Sequence, residues 1–141
     1  MSKKNILIFD DQAWLAKDLK DGLEEFGFYN VKLISNLKDF FSELDNSKYD
    51  LLILDVMIAM ILLDDIDHNH FSDTERRLMN KGEDFGEVLF KKIRSTSGFE
   101  NFPVIFYTAK RSVNVSDINT RYIRKPELIE DIHLKIQELL N

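Results

Sequence analysis

The sequence predicts an α/β domain: an open parallel sheet with helices on both faces. Three observations carry this. Short runs that are apolar at successive positions recur along the chain, as in strands covered on both sides. Segments of helical period lie between them. The two kinds of segment alternate, which implies right-handed βαβ units.

The strand candidates are Ile6–Phe9, Leu51–Leu54, Val104–Tyr107 and the shorter Tyr122–Ile123, with Val31–Ile34 a weaker fifth. Trp14, Leu15, Leu19, Leu23 and Phe26 fall on one face of a first helix, and Gly27 is placed to end it. Leu37, Phe40, Phe41 and Leu44 form a second stripe, with Asn36 as N-cap. Val88, Leu89, Lys92 and Ile93 form another, started near Asp84 and stopped near Gly98. Leu128, Ile129, Ile132, Ile136, Leu139 and Leu140 form the last, just after Pro126.

One connection breaks the rhythm. From Val56 to about Glu83 no strong core pattern of either period appears, far longer than an ordinary strand-to-helix loop. Its first part, VMIAMILL, is apolar, and Met57 to Leu63 is expected to pack over the third or fourth helix, with a partner surface as the alternative. Its second, DDIDHNH, is acidic. Then Ser72 and Glu75 stand three apart like a capping box, and Gly82 is placed to end a short helix. Residues 64 to 84 hold seven acidic and three basic side chains, a net −4 out of the chain's −6.

Composition limits what the chain does. A length of 141 residues is enough for one domain and too short for two ordinary ones, so residues 1–141 read as a single unit. Hydrophobic residues at 44% and charged residues at 31% describe a folded rather than a disordered chain. Cysteine is absent, which removes disulfides and thiolate metal sites. Net negative charge disfavours direct nucleic-acid binding. No apolar run is long enough for a signal-peptide core or a membrane span, so the expected location is the cytoplasm.

The polar residues of interest fall at the ends of the apolar runs. Asp10 and Asp11 close the first, Asp55 the run at 51–54, Thr108 the run at 104–107, and Lys125 follows the last. Ligands of open α/β sheets bind outside the carboxyl ends of the strands, at the switch point of strand order. If the order is 2-1-3-4-5, three carboxylates converge there with a hydroxyl and an ammonium beside them. Three close carboxylates repel unless a cation intervenes. A hard divalent ion with oxygen ligands, Mg²⁺ being the abundant one, resolves this. The set then contains what phosphoryl transfer needs, including a carboxylate able to form an acyl phosphate.

FDD at 9–11, LLILDVM at 51–57, YTA at 107–109 and RKP at 124–126 together resemble the receiver domain of two-component response regulators, in order and spacing, over nearly the whole chain. The resemblance implies a flavodoxin-like (βα)5 doubly wound sheet of order 2-1-3-4-5. It implies that Asp55 accepts a phosphoryl group from a histidine kinase or a histidine phosphotransfer protein. Asp11 would bind Mg²⁺ directly, Asp10 mainly through water, and Asp55 and the backbone carbonyl of Met57 would add ligands. Thr108 would hydrogen-bond the phosphoryl group and Lys125 would pair with it. Pro126 would follow a cis peptide bond. Tyr122 matches the aromatic switch position. On phosphorylation Thr108 would move toward the phosphate and Tyr122 would turn inward, reshaping a partner-binding face. The chain would be a stand-alone receiver of the chemotaxis-regulator kind, without an output domain. It would catalyse only its own phosphorylation and hydrolysis, with an unidentified downstream partner and homodimerisation left open.

Departures from the pattern are expected to be local. Ala59 stands where the family usually has Pro. Gly86 follows Asp55 by 31 positions, so about 23 residues are inserted, approximately 58–83. Only 17 positions separate Thr108 from Lys125, about five fewer than usual, and RSVNVSDINTR is poor helix material. The family's fourth helix is therefore expected to be shortened. The resemblance implies that the residues two after the acceptor and two after the Thr, here Met57 and Lys110, set phosphate lifetime, and bulky Met57 is expected to hinder the attacking water and slow dephosphorylation. His68 and His70 among Asp64, Asp65, Asp67 and Asp73 offer a second metal site only if extended, and a solvated acidic loop is the favoured reading. Two other functions compete. One is a receiver-fold module that binds partners without phosphate. The other is an aspartate-nucleophile phosphatase, which DVMIA after Asp55 fits poorly.

Overall fold

Five apolar runs become five parallel strands in one sheet: β1 (Lys4–Phe9), β2 (Tyr29–Ile34), β3 (Leu51–Leu54), β4 (Val104–Thr108) and β5 (Thr120–Arg124). Their order is β2-β1-β3-β4-β5, as expected. The helices are α1 (Ala13–Glu25), α2 (Phe40–Asn46), α3 (Asp73–Asn80), α4 (Phe85–Arg94) and α5 (Ile129–Leu140). The computed structural model describes residues 2–10, 12–46, 48–55, 69–80, 85–110, 113 and 117–141, with Ala13, Leu15, Asn46 and Asn80 described in backbone only.

Both sheet faces are apolar because alternate residues of each strand go to opposite sides. Leu7, Phe9, Leu52, Leu54, Val104 and Phe106 pack with α2, α3 and α4 in one core. Ile6, Ile8, Leu51, Ile53, Ile105 and Ile123 pack with α1 and α5 in the other. Ile132 and Ile136 of α5 are fully buried there, each contributing about 1.5–3 kcal/mol by leaving water. Gly27 ends α1 with a φ of 81°, a conformation that L side chains rarely adopt. Asn36 Oδ1 accepts from the Asp39 N–H at 3.1 Å and caps the turn leading into α2. Among the described residues, no helix is long and apolar enough to cross a membrane.

Several expectations need correction. Trp14 is 74% exposed, because the buried stripe of α1 runs through Ala16, Leu19 and Leu23 and leaves Trp14 off it. Leu128 is exposed, because it precedes the first turn of α5 and does not share its buried stripe. The connection after β3 holds core residues after all: Phe71 and Met79 are buried beside Phe85 in the α2–α4 core. Its capping box forms as read, with the Glu75 N–H donating to Ser72 Oγ at 3.2 Å and the Ser72 N–H to Glu75 Oε1 at 2.9 Å. VMIAMILL, Ala59, Gly82 and Asp84 lie outside the described residues. Between β4 and β5 the described residues form no helix, and Asp117 builds a turn that receives the Asn119 and Thr120 N–H groups.

His133 has a structural role. Its Nδ1 meets the Tyr29 hydroxyl at 2.6 Å, and its ring stacks on Phe26 at 4.2 Å, joining α1, β2 and α5. Burial pushes the Tyr29 phenol up from 10.0 to about 12. A group whose pKa is raised on folding adds stability that is present below its unfolded value and lost as pH climbs through the folded one. Stability measured by urea unfolding is therefore expected to fall between pH 10 and 12 more steeply in the wild type than in Tyr29→Phe. Identical slopes in the two proteins contradict this.

Candidate functional site

Strand register brings the key carboxylates together. Phe9 of β1 is the partner of Leu54 of β3, so Asp10 and Asp55 leave neighbouring strands at the same level. Backbone bonds hold them there: the Asp10 N–H donates to the Ile34 carbonyl at 3.1 Å, and the Asp55 N–H to the Phe9 carbonyl at 3.2 Å. Across the rim, the Lys125 N–H donates to the Thr108 carbonyl at 2.8 Å. The Lys125–Pro126 peptide bond is cis.

One ammonium serves both carboxylates. Lys125 Nζ lies 2.8 Å from Asp10 Oδ2 and 3.1 Å from Asp55 Oδ2. The side chains are 7% exposed for Asp10, 10% for Asp55 and 25% for Lys125. Burial penalises the ammonium, but the Asp10 hydrogen bond and the charges of Asp55 and Asp10 outweigh it and hold the Lys125 pKa above its usual value. Asp10 Oδ1 also accepts from the Gln12 N–H at 2.9 Å, which orients that carboxylate.

The pair opens into a cavity of about 360 Å³ between α1 and α5. Asp10, Gln12, Asp18, Asp55, Tyr107, Lys125 and Glu127 supply its polar lining. Tyr107 is a contributor that sequence reading passed over. Lys125 Nζ sits 5.3 Å from the centre of its ring, and its hydroxyl accepts from the Glu127 N–H at 3.3 Å. An aromatic residue directly before the Thr was the available signal.

Other expected residues sit elsewhere. Thr108 is fully buried at the end of β4 but is not among the described lining residues, and its Oγ1 accepts from the Lys110 N–H at 3.3 Å. Tyr122 is exposed, with its hydroxyl donating to the Lys110 carbonyl. Asp11 and Met57, expected as metal ligands, lie outside the described residues. Among the described residues no cluster of three or more His, Asp or Glu side chains gathers to hold a metal, so Asp10 and Asp55 stand as a pair. His68, Asp64, Asp65 and Asp67 also lie outside them. His70 stacks on Phe41 at 4.2 Å, and Asp73 lies 3.8 Å from Arg76.

Chemically, the rim presents two carboxylates and a cation at hydrogen-bond distance from both. No protein-family model matches the sequence, and no curated protein matches it. Solved structures do. A chemotaxis response regulator of Vibrio cholerae is 15% identical with a TM-score of 0.66, covering 99% of this chain and 100% of that one. A Francisella response regulator receiver domain is 20% identical with a TM-score of 0.67, covering 98% and 97%. A CheY-like response regulator receiver domain protein of Methanospirillum hungatei is 22% identical with a TM-score of 0.67, covering 99% and 94%. At these identities the likeness establishes the fold: a five-stranded parallel sheet of the response-regulator receiver type.

Proposed function

We propose that this chain is a two-component receiver domain that accepts a phosphoryl group on Asp55 and thereby alters a protein-binding surface. The observation that carries the reading is the Lys125 ammonium held by Asp10 and Asp55 at the carboxyl rim of the sheet. An apolar core does not pair three charges at a strand end for stability alone, since well-packed hydrophobic residues do that job at least as well.

The donor is a phosphohistidine on a kinase or a phosphotransfer protein. An Asp55 oxygen attacks phosphorus, the new O–P bond forms as the P–N bond breaks, and the electron pair of that bond stays on the imidazole nitrogen. An acyl phosphate and a free histidine result. Lys125 then pairs with a phosphoryl oxygen, which partly offsets the added charge. Thr108 donates its hydroxyl proton to another oxygen once its side chain shifts, and Tyr122 follows inward. Trp14 and Leu128 are exposed apolar residues at the starts of the two helices that line the cavity, and they offer the donor a contact.

The donor chemistry is compatible with a hard divalent ion: Asp10 and Asp55 each place a carboxylate oxygen within 3.1 Å of one ammonium, which supports the reading that they would hold a cation together. Asp11 and the Met57 carbonyl are proposed to complete the set. Bound there, Mg²⁺ supplies positive charge against the phosphoryl oxygens. Chemistry is confined to the chain's own carboxylate, with no turnover of an external substrate.

The test is intact-mass measurement after incubation with acetyl phosphate. A gain of one phosphoryl group with Mg²⁺, and none with a chelator, is expected. No gain under either condition favours the alternative, a receiver-fold module that binds its partner without phosphate.

A further inference from the structure

Lys110 is where three parts of the molecule meet. Its backbone N–H holds the Thr108 hydroxyl at 3.3 Å, and its carbonyl receives the Tyr122 hydroxyl. Its ammonium lies 3.1 Å from Glu87 Oε1 in the first turn of α4, and the Glu87 side chain is only 14% exposed. A partly buried ion pair is screened less by salt than a surface pair, and it resists displacement of either partner.

Helix α4 in turn packs against α3. Lys92 Nζ lies 3.1 Å from Glu75 Oε1 of α3 and 5.7 Å from the centre of the Phe71 ring. Phe71 and Met79 share one core with Phe85 at the start of α4. The far end of α4 is tied to the sheet independently, through Arg94 to Asp117 at 3.0 Å and to Thr120 Oγ1 at 3.0 Å. Among the described residues, α4 is therefore joined through its first turn to the residue that holds Thr108 and Tyr122.

We propose that the Glu87–Lys110 pair couples the phosphoacceptor rim to the inserted helix α3, making α3 an element that reports the state of Asp55. The proposal rests on the receiver reading above. Movement of Thr108 toward the rim, or of Tyr122 away from the surface, must stretch a bond to the Lys110 backbone. The Lys110 side chain carries that displacement to Glu87, and α4 passes it to Glu75 and Phe71. Glu87 acts through Lys110 and is a positioning residue.

Amide hydrogen exchange on the full chain tests this, with beryllofluoride and Mg²⁺ as the phosphoryl mimic and Mg²⁺ alone as reference. In the wild type, exchange across residues 71–80 is expected to change by about two-fold or more when the mimic is added. In Glu87→Gln the response at 71–80 is expected to vanish, while that at 104–110 and the mass gain from acetyl phosphate persist. A wild type that responds at 104–124 but not at 71–80 overturns the proposal. So does a Glu87→Gln variant that responds like the wild type. A wild type that responds nowhere and gains no mass overturns the receiver reading and this inference together.

Discussion

Asp55→Asn is expected to take up no phosphoryl group from acetyl phosphate, yet to fold as stably as the wild type or slightly more so. Lys125→Met is expected to do the opposite to stability and lower it by about 2–3 kcal/mol in chelator. The contrast follows from counting charges at the rim. Two carboxylates, both nearly buried, share the Lys125 ammonium, which leaves one negative charge in excess among these three groups. Replacing Asp55 by Asn removes the excess and leaves Lys125 paired with Asp10 at 2.8 Å. It also removes the oxygen nucleophile, because an amide is too weak to attack phosphorus. Replacing Lys125 instead leaves two like charges facing each other with little solvent. The figure is set below that for a fully buried pair because Lys125 is a quarter exposed. If a divalent ion occupies the same place, Mg²⁺ raises the stability of Lys125→Met more than that of Asp55→Asn. Urea midpoints with and without Mg²⁺ read all of this. Equal losses in the two variants would mean that the three charges do not act as one unit.

The fold was legible because the middles of β1, β3 and β4 are apolar at successive positions, and such runs suit few places other than the middle of a covered sheet. Each strand candidate appears: β3 with the bounds read from the sequence, and β1, β2 and β5 lengthened where polar side chains such as Lys4, Asn30 and Arg124 reach solvent and hide the pattern. Asp10, Asp55 and Lys125 were legible for a related reason: a charge closing an apolar run needs a partner, and the strand ends are where partners meet. Side-chain choices among several nearby acceptors were not. Nothing in the string YTAK says that Lys110 reaches back to Glu87, or that Tyr122 turns its hydroxyl to the Lys110 carbonyl. Tyr107 and Thr108 are adjacent, and the sheet sends Tyr107 to the cavity and Thr108 to its opposite side. Trp14 misled because a large apolar residue at helical spacing reads as core, whereas α1 buries the small Ala16 instead.

The inserted segment offers the other large effect. Met79→Ala and Phe71→Ala are each expected to lower stability by about 2–5 kcal/mol, as large-to-small changes in a packed core do. Sequence pattern shows no strong core period over residues 69–80, because one apolar anchor, Phe71, precedes the helix, the other, Met79, lies near its end, and mostly polar or charged residues stand between them. Burial decides otherwise. Met79 and Phe71 are as inaccessible as the strand residues Leu54 and Phe106, and they fill the same core beneath α2 and α4. Phe71 also meets Phe41 of α2 at 5.6 Å between ring centres, so removing it opens space between two elements at once. Thr74→Ala, on the exposed side of α3, is the matched control and is expected to change stability by less than about 0.5 kcal/mol. Urea unfolding of the three variants checks the ranking. If Phe71→Ala and Met79→Ala behave like Thr74→Ala, α3 is an ornament on the sheet rather than part of its core, and it has no rigid connection through which α4 could move it.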